Sequence, residues 1–126
     1  MKILTAGQMR EMDGRTIAAG IPGLLLMESA AARVVEFLER RHAPLERQRI
    51  VLVCGKGNNG GDGMAVARQL ALRFRPLALD VVLAADPAEL QGDTLANWRM
   101  LELAGVRASR QIEPRMRAAT LVVDAL

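Results

Sequence analysis

Two places in this 126-residue sequence carry side chains able to do chemistry. Residues 55–63 read GKGNNGGDG, five glycines set around Lys56, Asn58, Asn59 and Asp62. Each asparagine amide brings donors and an acceptor, and Asp62 brings a carboxylate. Glycines allow positive φ and let a ligand reach main-chain N–H groups with no Cβ in the way, so the stretch could cradle a phosphate. The second place is Asp124, directly after the apolar run TLVV. A carboxylate at the end of a buried strand can act as a general acid or base when burial raises its pKa. Together with an amide oxygen it could also bind a hard cation. Plainer roles compete: Asp62 as a helix N-cap, the asparagines as turn formers, and Asp124 as a cap or a solvated strand end.

Motif patterns narrow the choice only partly. No Lys-Ser/Thr pair follows the glycines, which excludes a P-loop. Gly55, Gly57 and Gly60 match G-x-G-x-x-G, and Asp86 falls where a ribose-binding acid could stand, but a lone match is a weak signal. Two adjacent asparagines followed by Gly-Gly-Asp-Gly exceed what a turn requires.

These residues need elements to position them. Residues 50–54, 78–85 and 120–126 are short apolar runs of the kind buried parallel strands show. The spacing predicts helices over 24–41, 64–74 and 94–104, with a further N-terminal helix over 6–19 capped by Thr5 and closed by Gly20. In the helix over 24–41, Leu24, Met27, Ala31, Val34, Val35 and Leu38 fall on one face; in the next, Met64, Ala67, Ala71 and Phe74 do. His42 reads as a surface residue at a helix C-terminus. Strand–helix alternation implies one α/β domain with a parallel sheet and right-handed crossovers. Ligands of such sheets bind beyond the carboxyl ends of the strands. If the first and third strands pair, Asn59 and Asp124 meet there. A three-stranded sheet that stops on its last strand would leave an exposed edge, so a fragment of a larger α/β unit is expected.

Composition sets limits. Half the residues are apolar and 126 residues suffice for a core. The net charge is +3, but basic and acidic residues interleave and only Phe37, Phe74 and Trp98 are aromatic, which speaks against a nucleic-acid surface. No stretch is long and apolar enough to span a bilayer, and none reads as a signal peptide. The single cysteine, Cys54, reads as a buried, inert thiol in a cytoplasmic protein.

With these residues in hand, the sequence resembles the NAD(P)H-hydrate epimerase family, the YjeF N-terminal domain. The resemblance rests on residues 4–32, with GIPG and LMESAA, on VCGKGNNGGDGMAVARQL (53–70) and on LVVDAL (121–126). It implies a Rossmann-like three-layer α/β/α sandwich with a parallel sheet, preceded by two N-terminal helices. Residues 1–126 would form that domain, truncated after the third strand, where the family usually continues Phe-Gly-Thr-Gly-Leu. It implies an isomerase that interconverts the R and S epimers of hydrated NADH and NADPH for a separate dehydratase. Asn58, Asn59, Gly60, Gly61 and Asp62 would line the substrate site. Asn59 and Asp124 would bind a potassium ion, and Asp124 would serve as acid and base. A homodimer, and fusion or functional linkage to the dehydratase, would follow; nucleic acid and membrane would not be partners. The alternatives are a truncated nucleotide-binding or interaction module without turnover, and a fragment of a Rossmann-type dehydrogenase.

Overall fold

The computed structural model describes residues 2–4 and 20–126, the first three as backbone. The helix expected over 6–19, with its Thr5 cap, lies outside the described residues. The elements are β1 (Lys2–Leu4), α1 (Gly23–His42), β2 (Arg49–Cys54), α2 (Asn58–Arg73), β3 (Ala78–Leu83), α3 (Gly92–Leu103), β4 (Arg107–Ser109) and β5 (Leu121–Ala125). Short 3₁₀ turns cover Leu45–Arg47, Pro87–Glu89 and Pro114–Ala118. All strand pairs are parallel, in the order β1-β5-β2-β3-β4. An α/β fold with a parallel sheet is therefore as expected.

Two strands escape a reading by apolar runs. β1 is only three residues long, and β4 is Arg-Ala-Ser. They change the expected edge: β5 is not exposed but lies between β1 and β2. The two outer strands are short, which limits the row of unpaired main-chain groups they present.

The pleat sends Ile50, Leu52, Cys54, Val81, Leu83, Leu121, Val123 and Ala125 to one face. There they join Val34, Val35 and Leu38 of α1, Met64, Ala67 and Leu70 of α2 and Leu101 of α3 in one core. Fully burying a Leu or Ile here contributes about 1.5–3 kcal/mol. The opposite face carries Val51, Val53 and Val82, partly covered by Met116 from the turn Pro114–Ala118.

α1 buries Leu26, Met27, Ala30, Ala31, Val34, Val35 and Leu38. The expected stripe is displaced at its start, where Leu24 is exposed and Leu26 takes its place. The helix ends before Pro44, with Arg40, Arg41 and His42 in its last turn, where cations suit the helix dipole. The expected apolar face of α2 is also too narrow. Every residue from Gly60 to Ala67 is buried, because α2 packs against the sheet and against α1 and α3.

Candidate active site

The largest departure from the sequence reading is at the glycines. The expected loop over 55–63 ends early: Gly57 is the N-cap and α2 already begins at Asn58. Asp62 is therefore not the N-cap of this helix but sits inside it, 3% exposed. Three glycines near a helix start oppose helix propensity by about 1 kcal/mol each relative to alanine. Packing overrides that preference. A Cβ on Gly60 would stand 1.8 Å from the Gly55 carbonyl oxygen. A Cβ on Gly61 would strike Met27 and Thr94, and one on Gly63 would strike Ala125 and Cys54. None of these glycines has positive φ; among the described residues, the glycines that do are Gly20, Gly92 and Gly105. They serve close approach of the helix to its neighbours, not left-handed turns.

This close approach fixes the start of α2 at the carboxyl ends of β2 and β5. Gly55 N–H donates to the Ala125 carbonyl at 3.1 Å, continuing the β2–β5 ladder by one bond. The Gly57 carbonyl accepts from Gly61 N–H at 3.1 Å and from the buried Thr94 hydroxyl at 3.0 Å, which locks the N-cap to α3. No side chain caps α2. Its first N–H groups thus remain available to an anion, and the helix dipole favours one. Gly57 faces open space. A cleft of about 490 Å³ opens beside it, lined by Lys56, Gly57, Asn58, Glu89, Gln91 and Thr94. Lys56 reaches Glu89 at 3.0 Å across its rim. Thr94, Glu89 and Gln91 gave no sequence signal for this place. They follow β3, whose carboxyl end opens on the same side of the sheet as that of β2, and only the topology reveals it.

Asn59 and Asp124 converge on one residue. Asn59 Nδ2 donates to the Leu126 carbonyl at 3.5 Å, and Asp124 Oδ1 accepts from Leu126 N–H at 3.2 Å. Asp124 pairs with Val53 across the β2–β5 ladder and is half-buried. The alternation of β5 starts its side chain on the face opposite α2, so the two groups approach Leu126 from different sides. Asn58 is exposed, Asn59 is half-buried, and Gly60, Gly61 and Asp62 are buried. Asp86, the candidate ribose acid, accepts from Ala88 N–H at 2.9 Å and caps the turn Pro87–Glu89. Cys54 is fully buried, and burial pushes its thiol up to about 12. It is unreactive at neutral pH, as expected.

The donors near Leu126 are oxygen-bearing: an amide, a carboxylate and main-chain carbonyls. Such a set suits a hard cation. Among the described residues no group of three or more His, Cys, Asp or Glu side chains gathers at one point.

A parallel sheet with an uncapped helix start and a carboxylate at its carboxyl edge defines an α/β fold that opens a crevice beyond its strand ends. Residues 23–126 match the family described as YjeF-related protein N-terminus, and the chain belongs to that family. It is 37% identical to the bifunctional NAD(P)H-hydrate repair enzyme Nnr of Moorella thermoacetica, over 100% of this chain and 25% of that protein. It is 35% identical to the NAD(P)H-hydrate epimerase of Rhodopirellula baltica, over 98% of this chain and 50% of that protein. The crystal structure of yeast ynu0 superposes with a TM-score of 0.71 at 23% identity, over 100% of this chain and 56% of that one, and shows the same fold. The chain thus spans from a quarter to just over half the length of these proteins.

Proposed function

We propose that this protein epimerises hydrated NADH and NADPH at C6 of the reduced nicotinamide ring. The observation that carries the reading is the uncapped N-terminus of α2 at the carboxyl edge of the sheet, with the half-buried Asp124 carboxylate near the end of the adjacent strand β5. Relatives named as NAD(P)H-hydrate epimerases support it. The substrate phosphates would take the free N–H groups of Asn58, Asn59 and Gly60, with the two asparagine amides orienting the rest of the molecule. Gly61 and Asp62, both buried, would shape the site from beneath.

The chemistry asks little beyond one proton carrier. C6 bears a ring nitrogen and a hydroxyl. Asp124 would pass a proton to the departing hydroxyl, which leaves as water while the nitrogen lone pair forms the iminium. Water returns to either face of C6 and gives a proton back to the carboxylate. Configuration is scrambled and every atom is restored. A developing cation beside a carboxylate is favoured where solvent is scarce.

A potassium ion would be held by Asn59 and Asp124, where it would offset part of the phosphate charge. The protein would work in the cytoplasm, in keeping with its unpaired thiol. It would act as a homodimer, for which exposed Leu24 and Leu25 at the start of α1 offer an apolar face. Its product, the S epimer, would pass to a dehydratase, either separate or fused.

Incubation with the R epimer of hydrated NADPH, with and without potassium, tests the reading. Acceleration of the epimer ratio toward equilibrium is expected, greater with potassium. No acceleration over the spontaneous rate rejects it. Asp124→Asn should lower the rate at least about a hundredfold, the scale of one general acid-base group, with an unchanged far-ultraviolet circular dichroism spectrum. Full activity in that variant removes Asp124 from the chemistry.

A further inference from the structure

The other end of the sheet carries a second cavity of about 490 Å³ that the proposed reaction does not use. Arg49, Arg75, Arg107 and Arg115 line it, against one carboxylate, Asp80. The sheet delivers three of these five. Arg49 opens β2 opposite Ala78, and Arg107 opens β4 opposite Asp80. In-register partners of parallel strands share a face, and Ala78 and Asp80 are two residues apart, so Arg49, Asp80 and Arg107 all point the same way. Arg115 comes from the turn Pro114–Ala118 and binds Asp80 at 2.8 Å, with a second bond to Glu113. These carboxylates, Asp80 foremost, hold the Arg115 guanidinium above its ordinary pKa.

Arg115 is thus neutralised, but the other three are not. Among the described residues, Arg49, Arg75 and Arg107 make no ion pair. Like charges gathered round one concave space repel, and concave walls strengthen the field. Arg75 adds an independent sign. It has φ +49, the left-handed conformation that usually falls to glycine just after a helix end. Its N–H closes back on Leu70 at 3.3 Å. A side chain kept at a position where its backbone is strained marks a site where the side chain has a use. Guanidinium groups fork onto phosphate oxygens better than any other side chain.

We infer that this amino-end cavity is a binding site for a small polyphosphate anion, separate from the proposed active site. Its size fits a compact molecule, not the backbone of an extended polymer.

Isothermal titration with inorganic pyrophosphate and with inorganic phosphate tests this. Pyrophosphate is expected to bind more tightly than phosphate, and more weakly as ionic strength rises. Arg107→Gln and Arg75→Gly should each weaken pyrophosphate about tenfold, the worth of one charge-assisted contact. Arg99→Gln, an exposed arginine of α3 that lines neither cavity, should change it less than twofold. Arg75→Gly carries a second readout. It relieves left-handed strain, so its melting temperature should rise while affinity falls. Absence of binding overturns the proposal, as does equal weakening in Arg99→Gln. So does a melting temperature that falls in Arg75→Gly with affinity unchanged, which would assign that guanidinium to the helix end. A single-stranded oligonucleotide that outcompetes pyrophosphate at the same arginines overturns it as well.

Discussion

At the carboxyl ends of β2 and β5 the chain closes on itself through main-chain contacts. At the amino ends of β2, β3 and β4 it gathers charge. The first region has glycines where Cβ atoms would collide, a buried threonine on a carbonyl, and an exposed Lys56–Glu89 pair. The second has four guanidiniums around a single buried carboxylate. One end is fixed by fit, which tolerates no added atom. The other is fixed by electrostatics, which tolerates shape change but responds to charge and salt. Mutation should therefore fail differently at the two ends.

The sharpest break is Gly60→Ala. Its methyl would sit inside the van der Waals shell of the Gly55 carbonyl. Neither backbone segment can move without opening the β2–β5 ladder, so a loss of about 3 kcal/mol or more is expected. Urea denaturation followed by the fluorescence of Trp98, the only tryptophan, measures it. Gly57→Ala, three residues earlier, adds a methyl to open space and should stay within about 1 kcal/mol. Equal losses in the two would show that helix propensity, not fit, governs this end.

Next in size is a pH effect at the same end. Burial raises the Cys54 thiol from 9.0 to about 12, so the folded state holds its proton where the unfolded chain releases it. This contribution to stability is complete below pH 9 and is lost as pH climbs toward 12. By pH 10.5 the loss should be about 2 kcal/mol. Cys54→Ala should flatten that slope, and an unchanged slope would locate the titration elsewhere. The sequence has no tyrosine and only two lysines, so few other groups titrate in this window.

At the amino end, Asp80→Asn removes the charge but keeps the shape. Because Arg115 is 36% exposed, water can partly replace the ion pair, and a loss of stability smaller than the Cys54 effect is expected. Added salt should shrink the difference between wild type and variant, which it would not do for Gly60→Ala. Salt-independence at Asp80 would mean that the two ends obey the same physics.

The two regions were also unequally legible in the sequence. β2, β3 and β5 announce themselves as apolar runs, and β2 pairs with β5 as the sequence suggested. The start of α2 was misplaced because Asn-Asn-Gly-Gly-Asp-Gly has the composition of a loop. Only the tight seat against Gly55, Met27 and Ala125 makes it helical, and such contacts leave no local pattern. The amino-end cavity was invisible for a different reason. Arg49, Arg75, Arg107 and Arg115 are scattered through the chain among acidic residues, so they read as a solvated surface. Arg107 belongs to β4, a strand with no apolar run to reveal it. What composition averages out, the topology concentrates.

The smallest expected effect lies at Lys56, the one strong charge lining the carboxyl-end cleft besides Glu89. Lys56 and Glu89 are 64% and 52% exposed, and an ion pair so open contributes at most about 0.5 kcal/mol. Lys56→Gln should therefore leave the urea midpoint nearly unchanged. Its kinetic signature is more informative. If the cleft holds substrate phosphates away from C6, Lys56 binds ground state and transition state alike. KM should then rise several-fold at constant kcat. A fall in kcat at constant KM would move Lys56 into the chemistry. A large stability loss would mean that this end, too, depends on charge, and the contrast between fit and electrostatics would collapse at the residue where it is easiest to measure.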